Sequence, residues 1–84
     1  MYEKLIRQYI GNLTMDDIVR FAQSNNIALT QEEAQILYAY TKNSWETFYL
    51  GDPTKEMAEL KQKLRPTTYQ ALESLYYYYK DKIQ

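Results

Sequence analysis

Apolar residues recur along the chain at spacings of three and four, with polar residues filling the intervals. That period predicts helices rather than strands. Five segments follow it. The first, 2–10, carries Leu5, Ile6, Tyr9 and Ile10 on one side, and Gly11-Asn12 ends it. Thr14 is a good N-cap for the second, with Asp17 as the acidic partner of a capping box. Met15, Ile18, Val19, Phe21 and Ala22 project into one arc of that helix, and Asp16, Asp17, Arg20, Gln23 and Ser24 into the other. It is therefore a surface helix with one buried face. Asn25-Asn26 stops it, because asparagine tolerates the left-handed conformation.

Ile27 and Leu29 then plug the core from an extended linker. Thr30 and Glu33 form the full capping-box pairing at the start of a third helix, 31–42. Its apolar arc, with Ala34, Ile36, Leu37, Tyr38 and Tyr40, is wide enough for several neighbours, which places this helix at the centre. Over 44–51, Trp45, Phe48 and Tyr49 fit either one or two helical turns ending at Gly51 or an aromatic loop packed over the core. Asp52-Pro53 restarts a helix, as N-cap and first helical residue. Met57, Leu60 and Leu64 form its stripe, and Glu59 and Lys63 an outer i,i+4 pair. Arg65-Pro66 breaks it. Thr67 with Gln70 caps the fifth helix, 68–82, where Tyr69, Leu72, Tyr76, Tyr79 and Ile83 repeat by threes and fours and Leu75 joins them. Tyr76 and Tyr79 are assigned to the core on this pattern. The expected fold class is all-α, a compact bundle of four to five short helices around the third, with residues 1–84 as a single domain.

Composition narrows the chemistry. The chain has 84 residues, near the lower end of what folds unaided. It contains no cysteine and no histidine, so disulfides and the usual zinc, haem and iron–sulfur ligand sets are out of reach. Large side chains, self-association, or both must supply the stability. Ten tyrosines, two phenylalanines and one tryptophan fit that need, since each ring buries a large area and tyrosine suits the wet boundary of a thin core. Ten basic and eleven acidic residues are interspersed for a net charge of −1, with no basic block to grip a phosphate backbone. The charged start, Tyr2-Glu3-Lys4-Leu5-Ile6-Arg7, does not read as a signal peptide, and no run is long and apolar enough to span a membrane. The expected compartment is the cytoplasm.

No catalytic, cofactor-binding or metal-ligating constellation is expected. The doublets Asp16-Asp17 and Glu32-Glu33 lie at helix starts, where capping and the helix dipole account for them. No phosphate loop, nucleophile elbow or histidine base is present. The chain is read as a non-enzyme without cofactor. Tyr76-Tyr77-Tyr78-Tyr79 is the feature most suggestive of a partner: four consecutive helical residues cannot share a face, so Tyr77 and Tyr78 point away from the stripe. They are either ordinary surface tyrosines, Tyr78 lying along Lys82, or anchors of an interface, where tyrosine is enriched. Trp45 and Tyr49, with Phe48, either fill the core or line a partner groove. The candidate interaction residues are thus Tyr77, Tyr78, Tyr49 and Trp45. The function expected is a non-catalytic protein–protein interaction module or small homo-oligomer. The alternative is a nucleic-acid-associated regulator, in which 14–40 forms a helix-turn-helix-like segment. Gln31-Glu32-Glu33 at the leading end of its second helix argues against that, because phosphates repel carboxylates.

The runs Leu13-Thr14-Met15-Asp16-Asp17-Ile18-Val19-Arg20-Phe21-Ala22 and Ile27-Ala28-Leu29-Thr30-Gln31-Glu32-Glu33-Ala34 resemble the YqfT-like family, short cytosolic proteins of unknown function from low-GC Gram-positive bacteria. The resemblance implies a small helical cytosolic protein and adds no catalytic residue. The chain departs from the family pattern at Lys42-Asn43-Ser44-Trp45, where a more basic, glycine-containing turn is expected, and in the tyrosine content of the last helix.

Overall fold

A computed structural model describes residues 2–83. Among them are five helices and no strand: α1 (Tyr2–Gly11), α2 (Met15–Ser24), α3 (Gln31–Leu50), α4 (Thr54–Lys63) and α5 (Pro66–Ile83). The fold is all-α, as the periodicity requires.

The local signals act where the sequence places them. Thr14 accepts from the Asp17 N–H at 3.2 Å while Asp17 accepts from the Thr14 N–H at 2.9 Å, a complete capping box. Thr30 and Glu33 repeat it at α3 with both distances at 3.1 Å. Asn26 adopts φ 60°, the left-handed value expected of it. The Ile27 and Asn26 N–H groups then reach back to the carbonyls of Ala22 and Gln23, at 2.8 and 3.1 Å. This is a Schellman termination, and it seats Ile27 and Ala22 together in the interior. Leu29, the other residue expected to plug the core from the linker, is half-buried.

Other boundaries differ from expectation. Gly11 is not left-handed. Instead the Asn12 side chain donates to the Gln8 carbonyl at 3.1 Å, and Lys42 Nζ reaches across from α3 to the carbonyls of Ile10, Gly11 and Leu13 at 2.9, 3.1 and 3.4 Å. A cation at the carbonyl end of a helix complements its dipole, so α1 is capped from outside itself. The third helix does not stop near Lys42. Ser44 leaves helical geometry (φ −130°, ψ 15°), and the helix resumes to Leu50, so the helical alternative for 44–51 holds with a kink at its start. Gly51 ends it in extended backbone; a Cβ there would sit 3.3 Å from the Thr47 carbonyl oxygen, closer than most side chains tolerate. Pro53, not Asp52, occupies the N-cap of α4. Asp52 still serves the turn by accepting from both the N–H and the hydroxyl of Thr54. The fifth helix begins at Pro66 rather than after a Thr67 cap, because proline supplies a ready-made first helical φ and has no N–H to satisfy.

The interior is shallow. Leu60, Leu64 and Tyr69 form its tightest cluster, with Ile36, Leu37, Tyr40, Phe48, Met57 and Leu72 packed around them. Leu13, Ala22, Ile27 and Ala34, on α2, its flanks and the start of α3, are also buried. Four members of the expected apolar faces are not inside: Leu5 is 59% exposed, Tyr9 64%, Phe21 49% and Tyr79 43%. Each lies at the correct angle on its helix, but no neighbouring helix closes over it. The side chains of Lys82 and Ile83, which bear on the proposed Tyr78 contact and the end of the α5 stripe, lie outside the described residues.

Candidate functional site

The gap left by that shallow interior is a cleft of about 660 Å³, walled by all five helices. α1 contributes Ile6 and α2 contributes Phe21. α3 contributes Leu37 and Tyr40 before the kink, then Trp45, Phe48 and Tyr49 after it. Met57 and Leu60 form the α4 side, and Leu72, Leu75 and Tyr76 the α5 side. The volume lies within the range of ordinary ligand and docking sites, and the wall is mainly hydrocarbon and aromatic ring.

Trp45 and Tyr49, one turn apart, meet inside this wall with ring centroids 6.4 Å apart, and both are half-buried. The Arg7 guanidinium from α1 lies 5.3 Å over the Trp45 ring and pairs with Glu46 at 3.3 Å, which ties α1 to the resumed part of α3. Phe48 meets Tyr76 edge-on at 5.8 Å, and the Tyr76 hydroxyl donates to the Phe48 carbonyl at 3.4 Å. Tyr77 and Tyr78 are 59% and 57% exposed, as their angles on α5 demand. They are not remote from the cleft. Tyr77 packs edge-on against Tyr76 at 5.2 Å, and Tyr78 against Tyr79 at 5.3 Å. Tyr79 in turn faces Phe21 across the mouth at 6.4 Å. Trp45 and Tyr49 therefore lie within the cleft, whereas Tyr77 and Tyr78 lie outside its lining and pack against the lining rings of Tyr76 and Tyr79.

Three exposed residues that line the opening are absent from the candidate interaction set: Phe21 and Tyr79, which the period assigns to the interior, and Leu50. Leu50 is the apolar residue just before the helix-ending glycine, a position at which an unburied side chain is easily overlooked.

Several polar groups of the cleft already hold hydrogen-bond partners. Tyr40 donates to Glu59 at 2.6 Å and accepts from Lys63 at 3.3 Å, so these two charges meet through a phenol from another helix. Tyr69 donates to Glu73 at 3.2 Å, and Lys80 donates to the Tyr76 hydroxyl at 3.0 Å. Hydrogen bonding to Glu59 raises the Tyr40 pKa, burial raises that of Tyr69, and the Tyr76 hydroxyl raises that of Lys80.

Away from the cleft, Glu33 is the principal electrostatic feature. Beyond its capping role it is buried and accepts the Arg65 backbone N–H at 3.0 Å and the Arg65 guanidinium at 2.9–3.3 Å. Arg65 also donates to the Ala28 carbonyl at 2.6 Å. Burial alone would raise the Glu33 pKa; the bonds from Arg65, Thr30 and Thr68 outweigh it and hold the carboxyl down at about 2. Among the described residues no group of three or more acidic, histidine or cysteine side chains is placed to hold a metal ion, and no helix is long and apolar enough to cross a membrane.

The family model of proteins of unknown function DUF2624 matches residues 1–80. The chain belongs to that family. No curated protein and no solved structure matches it. In this DUF2624 chain the matched span takes in all of the cleft walls named above, from Ile6 to Lys80.

Proposed function

We propose that the chain is a non-catalytic protein–protein interaction module whose contact face is the mouth of the aromatic cleft. The observation that carries this reading is an open apolar cleft lined at its mouth by exposed Phe21, Leu50 and Tyr79, with exposed Tyr77 and Tyr78 packed against the lining rings of Tyr76 and Tyr79. Contiguous exposed apolar surface of this kind marks interaction sites, whereas single exposed rings do not. Tyrosine is also among the residues that dominate binding energy at interfaces.

The direction of the pKa shifts supports the absence of catalysis from the proposal. Asp17, Glu33 and Asp52 are lowered, while Tyr40, Tyr69, Lys80 and Arg65 are raised. Each of these groups is thereby fixed more firmly in its ordinary charge state at pH 7. General acid–base catalysis calls for the opposite, a group brought toward neutrality. The narrower placement, a YqfT-like cytosolic protein of low-GC Gram-positive bacteria, rests on the segments 13–22 and 27–34.

Tyr77→Ser combined with Tyr78→Ser is the direct test. Association should weaken about 10-fold or more, while helicity and the thermal midpoint change little, because neither ring fills the interior. The reading fails if light scattering shows a monomer at high concentration and the same proteins co-purify with both versions.

A further inference from the structure

We infer that the occupant of the cleft is a second copy of this chain, docked face to face so that the groups projecting at each mouth enter the other's cleft. This deepens the interaction reading above and rests on it. Four observations favour a copy over an unrelated partner.

The first is area. A folded monomer of this mass exposes about 5,300 Å², whereas this chain exposes 6115 Å². The difference, about 800 Å², is what one protomer contributes to a standard-size interface.

The second is stability. No large side chain is fully buried among the described residues, and the sequence holds no cysteine or histidine with which to staple the fold. Small domains in that position gain their missing burial by association.

The third is charge. Among the described residues Lys80 is the one charged side chain lining the cleft, and it lies close enough to Asp52 to feel its charge. An interface between different proteins relies on complementary charges for selectivity, while interfaces between identical chains are more apolar. A mouth with one half-offset cation fits the second case, and at a net charge of −1 two copies repel each other little.

The fourth is self-complementarity. A two-fold interface needs donor and acceptor surfaces on one patch, since each contact is made twice with roles reversed. Here Phe21, Leu50 and Tyr79 both line the cleft and stand 43–57% exposed at its opening.

Sedimentation velocity of the full chain over micromolar to millimolar concentration tests this. Wild type is expected at twice the chain mass. Phe21→Glu with Leu50→Glu should remain folded by circular dichroism, because both side chains are already half in water, yet sediment at the single-chain mass. The dissociation constant should rise about 100-fold or more. Leu5→Glu with Tyr9→Glu, exposed residues that do not line the cleft, should leave the dimer intact. A dimer broken only by the Leu5 and Tyr9 changes overturns the inference in favour of another face. A wild-type monomer throughout also overturns it, and a solvatochromic apolar dye then separates the two levels. Strong dye enhancement, lost in the Phe21 and Leu50 variant, means an open cleft awaiting a different partner. No enhancement means the cleft is closed, and the interaction reading falls with the inference.

Discussion

Glu33→Gln should lower stability by about 2–3 kcal/mol and flatten the acid dependence of folding. The folded carboxyl titrates at about 2 against an ordinary 4.5, so the native fold favours its charged form. A depressed carboxyl contributes fully above its unfolded pKa, and the contribution disappears as pH falls through the folded value. The loss therefore develops between about pH 5 and pH 2. The shift corresponds to a ceiling of about 3.4 kcal/mol. The Glu33 side chain is only 5% exposed, but that of Arg65 is 51% exposed, and water on the arginine side screens the pair below that ceiling. In a domain of this size the thermal midpoint should fall by about 10–20 °C. Asp17 and Asp52 are also lowered, by bonds from Thr14 and Thr54, so a weaker acid response persists in the variant. Urea unfolding at pH 7 and pH 3 checks the account. If both proteins lose the same stability between those values, Glu33 is not the group responsible.

Leu60→Ala should cost about 2–3 kcal/mol, the lower part of the range for such truncations. Leu60 is 6% exposed and joins Leu64 and Tyr69 at the tightest point of the interior, so the loss of burial is nearly complete. It also lines the cleft. The space left behind merges with an opening that already exists instead of forming a sealed void, and the cavity contribution is correspondingly small. The urea midpoint should drop with an unchanged slope, since the surface exposed on unfolding is much the same. A cost above about 4 kcal/mol would mean that Leu60 is enclosed on every side, which is incompatible with the open cleft.

The contrast between the two sites shows what the chain discloses by itself. Thr14 with Asp17, Thr30 with Glu33 and the left-handed Asn26 are legible because their partners lie within a few residues and the backbone fixes their geometry. The helical period likewise places Leu60, Leu64 and Tyr69 on inward faces. It cannot show whether a neighbour arrives to cover a face, which is why Phe21 and Tyr79 share the period of buried residues and yet stand in solvent. Nor can it pair charges across the fold. Arg65 looks like a helix breaker's companion until Glu33, 32 residues away, is found beneath it. Lys42 looks like a polar residue closing a helix, and its role is at the end of α1. Its place one turn after Tyr38, at the margin of an apolar arc, was the available hint. Both are tertiary bonds made at a helix end, and the linear pattern carries no information on which distant side chain reaches it.

The break at Ser44 has a geometric consequence for recognition. Trp45, Phe48 and Tyr49 reach their wall through a segment whose heading is set by one residue's two backbone torsions. The aperture offered to a visitor is thereby governed at a single pivot, and exchanging the residue there could retune the calibre of the opening without redesigning any of the surrounding rods.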